Sequence, residues 1–288
     1  MKINYSCVPC LLNRVLFEAK LVIKEEEKIH YLMKKVLEKF SEIYDEKRSS
    51  AEIATEIHAL AYELIGNKDP YKNLKEESNR IALSLLPKAK EIIENSENKL
   101  EKAIICSIAA NSIDFGIEGS ASSPDELFLK FEEYVNEGLY INDFEKMKKY
   151  LKGEILYFTD NCGEIVFDKI VCELLKEYNV NISLVCKKYP ILTDATHEDA
   201  IKIGFQDIVD EILTTGKFSV GVDFSGISEK LKRKLKEASL IICKGMANFE
   251  SFSETKYKPI AYLMRVKCNP IAKSIGAKKS KNILKIYE

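Results

Sequence analysis

The spacing of apolar residues changes character near Gly153. Before it, apolar positions recur at helical intervals. Leu11, Leu12, Val15, Leu16, Ala19 and Val22 make one stripe, and Ile29, Leu32, Met33, Val36, Leu37 and Phe40 make a second. Each is the inward face of an amphipathic helix. A third helix is predicted to begin at Ser50, with Glu52 in its first turn and Ile53, Ile57, Leu60, Ala61 and Leu64 along its face, and to stop at Gly66. Asp69 and Pro70 form a turn. The helix that follows, over residues 71–86, is expected to end ahead of Pro87. Residues 100–113 are the most apolar helical stretch of this half and are expected at its centre, with a polar loop near residues 120–124.

Beyond Gly153 the apolar residues fall in short runs. Residues 155–158 (ILYF), 180–186 (VNISLVC), 239–243 (SLIIC), 261–266 and 283–287 read as strands. Helical spacing returns between them, in Ile165, Val166, Ile170, Val171, Leu174 and Leu175, and in a basic helix over residues 228–238. Thr196 and Asp199 have the spacing of a capping box. Residues 205–212 fit neither period, and residues 218–223 read as a short strand or a loop. Strands alternating with helices predict an α/β protein. Its expected form is a Rossmann-like αβα sandwich with a mostly parallel sheet over residues 151–288. An all-helical N-terminal domain or cap precedes it, over residues 1–150.

Composition narrows the function. The 44 basic and 45 acidic side chains nearly cancel, so no global field recruits nucleic acid or an anionic membrane. No apolar run approaches the ~20 residues of a membrane span. The N-terminus, MKINYSCVPC, leads into an amphipathic helix without an apolar leader, so a cytoplasmic location is expected. Eight cysteines in 288 residues are too sparse for a disulfide scaffold.

The strand–tip–helix stretch at residues 154–168, EILYFTDNCGEIVFD, carries the candidate chemistry. It sets Asp160 and Asn161 at the carboxyl end of a strand, where open α/β sheets build their sites. Carboxylate and amide oxygens suit Mg²⁺ or Mn²⁺, and Asp194, after the next strand, is a third such donor. Turn and helix-cap roles explain the same residues without a metal. In the segment KGMANFE, Gly245 permits close backbone approach, Met246 and its neighbours carry N–H groups for an anion, and Asn248 can bind a ligand. Glu250 is a candidate to activate water, and Lys267 to neutralise phosphate charge. Asn111 and Asp114 share a helix face, as a buried hydrogen-bond network or a wall of the substrate pocket. Cys7 and Cys10 have the spacing of a second metal site or a redox pair, with a thiol pKa lowered at a helix start, or are packed free thiols. No GxGxxG or GxxxxGK[ST] supports a nucleotide-binding transferase.

Six segments together resemble the DUF89, or damage-control phosphatase, family, which includes the ARMT1-like proteins. They are CVPC (7–10), AANSIDFG (109–116), TDNCGEIVFD (159–168), PILTDAT (190–196), KGMANFES (244–251) and MRVKC (264–268). The likeness is closest to the archaeal and bacterial branch with an N-terminal CxxC. The resemblance implies a helical region attached to a Rossmann-like domain, and a metal-dependent phosphatase of small phosphomonoesters such as sugar phosphates or damaged phosphometabolites. It implies Asp160, Asn161 and Asp194 as ligands of one divalent ion (Mn, Ni, Co or Mg). Asn248 and the glycine-containing loop would bind phosphate, Lys267 would hold its charge, and Glu164 and Glu250 are further members of the site. The expected nucleophile is a metal-activated water rather than Asp160 or Asp194, with Glu250 or Asp194 to orient it. The competing reading is a non-catalytic module that binds a metal or ligand and recruits a partner through the helical half and the CxxC. Subunit number is left open by the sequence.

Overall fold

The computed structural model describes residues 1–111 and 124–288. Helices α1 (Cys7–Val22), α2 (Glu26–Ile43) and α3 (Ser50–Ile65) form a bundle with a core of its own, in which Val15, Leu32, Val36, Ile53 and Ile57 are buried. These are the residues of the three apolar stripes. Gly66 ends α3 in the left-handed conformation (φ +70°), and its N–H bonds back to the Tyr62 and Glu63 carbonyls.

Helix α4 (Lys72–Glu94) overrides the expected stop at Pro87 and continues through it. Proline removes one N–H from the helix and leaves the carbonyl of Leu83 without its partner. Leu83, Ser84 and Pro87 all lie on the exposed face, where water can meet that carbonyl, while Leu85, Ala89 and Ile93 keep the buried face continuous. Helix α5 (Lys99–Ala110) is capped by Asn98, whose side chain accepts from the Glu101 N–H at 3.1 Å. Helix α6 spans Pro124–Asn136. Residues 112–123, which include Asp114 and most of the expected polar loop, lie outside the described residues.

The remaining elements run β1 (Ile141–Asn142), α7 (Phe144–Lys148), β2 (Glu154–Phe158), α8 (Glu164–Lys176), β3 (Asn181–Cys186), α9 (His197–Ile203), β4 (Glu211–Thr214), α10 (Glu229–Glu237), β5 (Leu240–Lys244), α11 (Gly245–Phe252), β6 (Ile260–Arg265), α12 (Asn269–Ile275) and β7 (Asn282–Tyr287). The described strands form one seven-stranded sheet in the order β1-β7-β6-β5-β2-β3-β4, parallel except where β6 meets β7. The α/β class and the mostly parallel sheet are as the sequence led us to expect. One detail differs, and two that the pattern left open take definite form. A short strand, β1, pairs with β7 at the sheet edge within a region that shows hardly any strand pattern. Residues 205–207 make a 3₁₀ turn before β4, and residues 218–223 are loop.

Side chains alternate across the sheet with the period of two that a strand imposes. Ile155, Tyr157, Ile182, Leu184 and Ile242 point to one face, where helices α4, α5 and α8 share their core. Leu156, Phe158, Val185, Ile241 and Cys243 point to the other, beneath α10, α11 and α12. Both faces are therefore covered, as near-continuous apolar strands require. The α1–α3 bundle is tied to the loops beyond the strand ends. Tyr62 accepts from the Leu192 N–H (2.8 Å), Thr55 from the Val220 N–H (2.9 Å), and Ser50 donates to Glu250 (2.5 Å). Among the described residues, no helix is long and apolar enough to cross a membrane.

Candidate active site

Strands β2 and β3 are hydrogen-bonded neighbours in register, Phe158 opposite Val185, so their carboxyl ends emerge together. The chain after β3 folds back onto the tip of β2. The Ala195 N–H donates to the Asp160 carbonyl (2.7 Å), the Cys162 N–H donates to the Thr193 carbonyl (2.8 Å), and Asn161 and Asp194 pair as an isolated antiparallel bridge. The capping box of Thr196 and Asp199 starts α9 just beyond, fixing where this return ends. Asp160, Asn161 and Asp194 thus meet in one cleft of about 230 Å³.

Hydrogen bonds fix the donors. Asp160 Oδ2 accepts from Asn161 Nδ2 (2.7 Å) and from Asn111 Nδ2 (2.8 Å), and Thr193 Oγ1 donates to Asn161 Oδ1 (2.6 Å). Lys187 Nζ lies 3.4 Å from Asp194 and is anchored on the Ser219 carbonyl (2.9 Å). Gly245 opens α11 with φ +74°, and a Cβ there would fall 1.9 Å from Asp160 Oδ2. Only glycine allows the carboxylate to lie against this backbone.

Below the cleft sits a buried ionic cluster, of which the sequence reading named Glu164 alone as a site residue. Lys244 Nζ bonds to Asp168 (2.6 Å), Glu164 and Ser107, and Tyr157 donates to Asp168 (2.7 Å). Asn111 also bonds to Glu164, which joins this cluster to Asp160. A signal existed: Glu164 and Asp168 stand four apart on a face otherwise lined by apolar residues, and Lys244 ends an apolar strand.

Burial, and then the facing Asp194 carboxylate, push Asp160 up to about 6, against the Asn111 hydrogen bond and the charges of Lys267 and Lys244. Burial raises Asp194 too, opposed by Lys187. Burial pushes Glu164 up to about 7 even beside Lys244. For Lys244 burial acts downward, but Asp168 and Glu164 outweigh it and hold the ammonium above its usual range. Two buried carboxylates that resist joint ionisation, beside an amide oxygen, are a donor set suited to a hard divalent cation. Among the described residues, no group of three or more His, Cys, Asp or Glu is placed to hold a metal, so such an ion would rest on two carboxylates and the Asn161 amide.

The other candidates divide. Lys267 reaches the cleft and donates to the Asn111 carbonyl (2.7 Å), while Met246 and Ala247 line the cleft from the first turn of α11. Asn248 lies behind the cleft lining and clamps two carbonyls, Thr159 (2.9 Å) and Lys244 (2.7 Å). Glu250 is buried against Ser50, with its main-chain carbonyl on the N-terminal amine (2.5 Å), so it joins the helical bundle to α11 instead of reaching the cleft. Cys7 opens α1, but burial pushes its thiol up, opposite to the lowered value expected at a helix start. Cys10 is exposed, and all eight cysteines are free thiols. The helical half adds Arg14, Phe17 and Tyr71 to the cleft wall, none of which the sequence reading singled out.

A family model described as the damage-control phosphatase ARMT1-like domain matches residues 3–283. A curated damage-control phosphatase of Archaeoglobus fulgidus is 39% identical over 288 residues, covering all of both chains. A damage-control phosphatase of Pyrococcus horikoshii is 29% identical, covering 97% of this chain and 96% of its own. The crystal structure of a DUF89 family protein from Pyrococcus horikoshii superposes with a TM-score of 0.91 at 28% identity, covering both chains completely.

Proposed function

The chain belongs to the damage-control phosphatase ARMT1-like family, and from that membership together with its cleft we propose that it hydrolyses small phosphomonoesters, sugar phosphates or damaged phosphometabolites, with a divalent cation. The observation that carries this reading is the pairing of the β2 tip with the chain after β3, which brings Asp160, Asn161 and Asp194 together beside Lys267. Those three residues would hold the cation. When bound, it supplies Lewis acidity that draws charge from the phosphoryl oxygens.

The chain's own groups do the rest. Phosphoryl transfer spreads negative charge over three equatorial oxygens, so catalysis is mostly positioning and charge compensation. Lys267 is the exposed cation of the cleft on the sheet side, held over it by the Asn111 carbonyl, and it meets that charge. Met246 and Ala247 lie in a helical first turn, whose N–H groups have no acceptor within the helix and suit an anion. Water is the nucleophile we assign. Asp160 Oδ2 already accepts from Asn111 and Asn161, which makes it a poor attacking group. Asp194, held by Lys187, is the carboxylate left to orient that water.

The test is phosphate release from p-nitrophenyl phosphate after EDTA treatment, with Mn²⁺, Co²⁺, Ni²⁺ or Mg²⁺ then restored. Activity should vanish with EDTA and return with at least one ion. Asp160→Asn should lower it by about a thousandfold in a folded protein. EDTA-resistant turnover, or a folded Asp160→Asn protein with wild-type turnover, would count against the assignment.

A further inference from the structure

A second buried polar chain runs through the helical half and ends at the cleft. His58 Nδ1 lies 2.9 Å from Glu18, both side chains being sealed from solvent. Tyr71, equally buried, donates to the same carboxylate (3.4 Å), and the phenol and the carboxylate are the groups that act most on the neighbouring Arg14 guanidinium after burial. Arg14 keeps part of its side chain open to solvent and lines the cleft with Phe17, Tyr71 and Leu74. Burying a carboxylate, an imidazole and a phenol within the helical half is costly unless each is paired. Here the pairing leads toward one guanidinium in the cleft wall.

Among the described residues lining the cleft, Arg14 and Lys267 are the two cations. They come from opposite sides of it. Lys267 belongs to the sheet side and is one of the charges that act most on Asp160. Arg14 belongs to α1, on the helical side. Its neighbours are instead the aromatic and aliphatic side chains of the helical half, where the part of the ester beyond the phosphate would lie. A guanidinium set in the cleft wall beside a buried tyrosine presents a fork that matches a carboxylate or phosphate.

We propose that Arg14, positioned by Tyr71 and Glu18, is an anion anchor for the leaving-group side of the substrate, so that the cleft selects phosphomonoesters carrying a second anionic group. This rests on the reading of the site as a phosphatase.

The test compares phosphoglycerate esterified at its terminal hydroxyl with glycerol phosphate, which differ only by a carboxylate in place of a hydroxymethyl group. The wild-type protein with Mn²⁺ should prefer phosphoglycerate by about tenfold to a hundredfold in kcat/KM, with the difference in KM. Arg14→Gln should bring the ratio to about one, and Arg14→Lys, which keeps the charge without the fork, should fall between. Circular dichroism of both variants guards against misfolding. No preference in the wild type, or a preference that survives Arg14→Gln, overturns the proposal. If no ester releases phosphate with any ion, the phosphatase reading fails, and Arg14 is then judged by calorimetric binding of the two intact esters. A preference lost in Arg14→Gln sustains the anchor, and equal binding to the wild type removes it.

Discussion

Two buried polar networks of this protein differ in kind. Under the sheet, one ammonium, Lys244, is enclosed with two carboxylates, Glu164 and Asp168, and the network hands its order to Asp160 through Asn111. In the helical half, one carboxylate, Glu18, is held by an imidazole and a phenol, and the network ends on an arginine that reaches solvent. Fixed charges enclosed from all sides set a rigid floor, and here the floor carries the proposed metal ligands. A sparser set of hydrogen bonds on Glu18 leaves the neighbouring arginine at the cleft wall. On the proposed reading, the sheet network serves the chemistry and the helical network the choice of substrate.

Breaking the sheet network should have the larger effect on stability. Lys244→Met leaves Glu164 and Asp168 buried without their cation, which costs about 3–5 kcal/mol. Urea denaturation at neutral pH measures it, and a loss below about 1 kcal/mol would show that the carboxylates relax into a protonated pair without strain. Adding Glu164→Gln to that variant should recover part of the loss, because one of the two stranded charges is then gone.

The same network gives the metal-free protein a distinctive pH response. Asp160 and Glu164 are raised in the folded state, to about 6 and about 7, so the folded chain binds more protons than the unfolded chain between their unfolded and folded values. Their contribution to stability is therefore present below about pH 4 and is lost as pH rises toward about 7. Relative to Glu164→Gln, the wild type should lose about 1–3 kcal/mol across that window. A parallel pair of stability curves would remove Glu164 as a source. A divalent cation should reduce the loss, since it takes the place of the protons.

The smallest effect should come from the helical network. Tyr71→Phe removes one hydroxyl while His58 still holds Glu18, so the cost is about 1 kcal/mol. Thermal or urea unfolding reads it directly. A loss as large as that of Lys244→Met would erase the contrast between the two networks.

Much of the fold is legible along the chain because periodicity is local. The stripes through Val15, Val36 and Ile57 became the core of α1–α3, and the runs at residues 155–158, 180–186 and 239–243 became β2, β3 and β5. Local rules failed where tertiary context outweighed them. Pro87 sits inside α4 because its face is wetted, and β1 exists only because β7 offers an edge. The site divides in the same way. Asp160, Asn161, Asp194 and Lys267 could be named from their places at strand tips. Glu250 looked the same in sequence, yet α11 turns it toward Ser50. Lys244 also ends a strand but was not singled out as a site residue, and Arg14 and Tyr71 carry no strand-tip signature at all.

The sequence by itself determined most of the helices and strands, since side-chain spacing and backbone period are properties of a few neighbouring residues. It also placed hard oxygen donors at the ends of two strands. Only the tertiary structure decided that those donors share one cleft, that a lysine lies sealed beneath them, and that a helix some 150 residues upstream supplies the opposite wall. Such pairings depend on charges and surfaces meeting across long stretches of chain, and no local pattern encodes that.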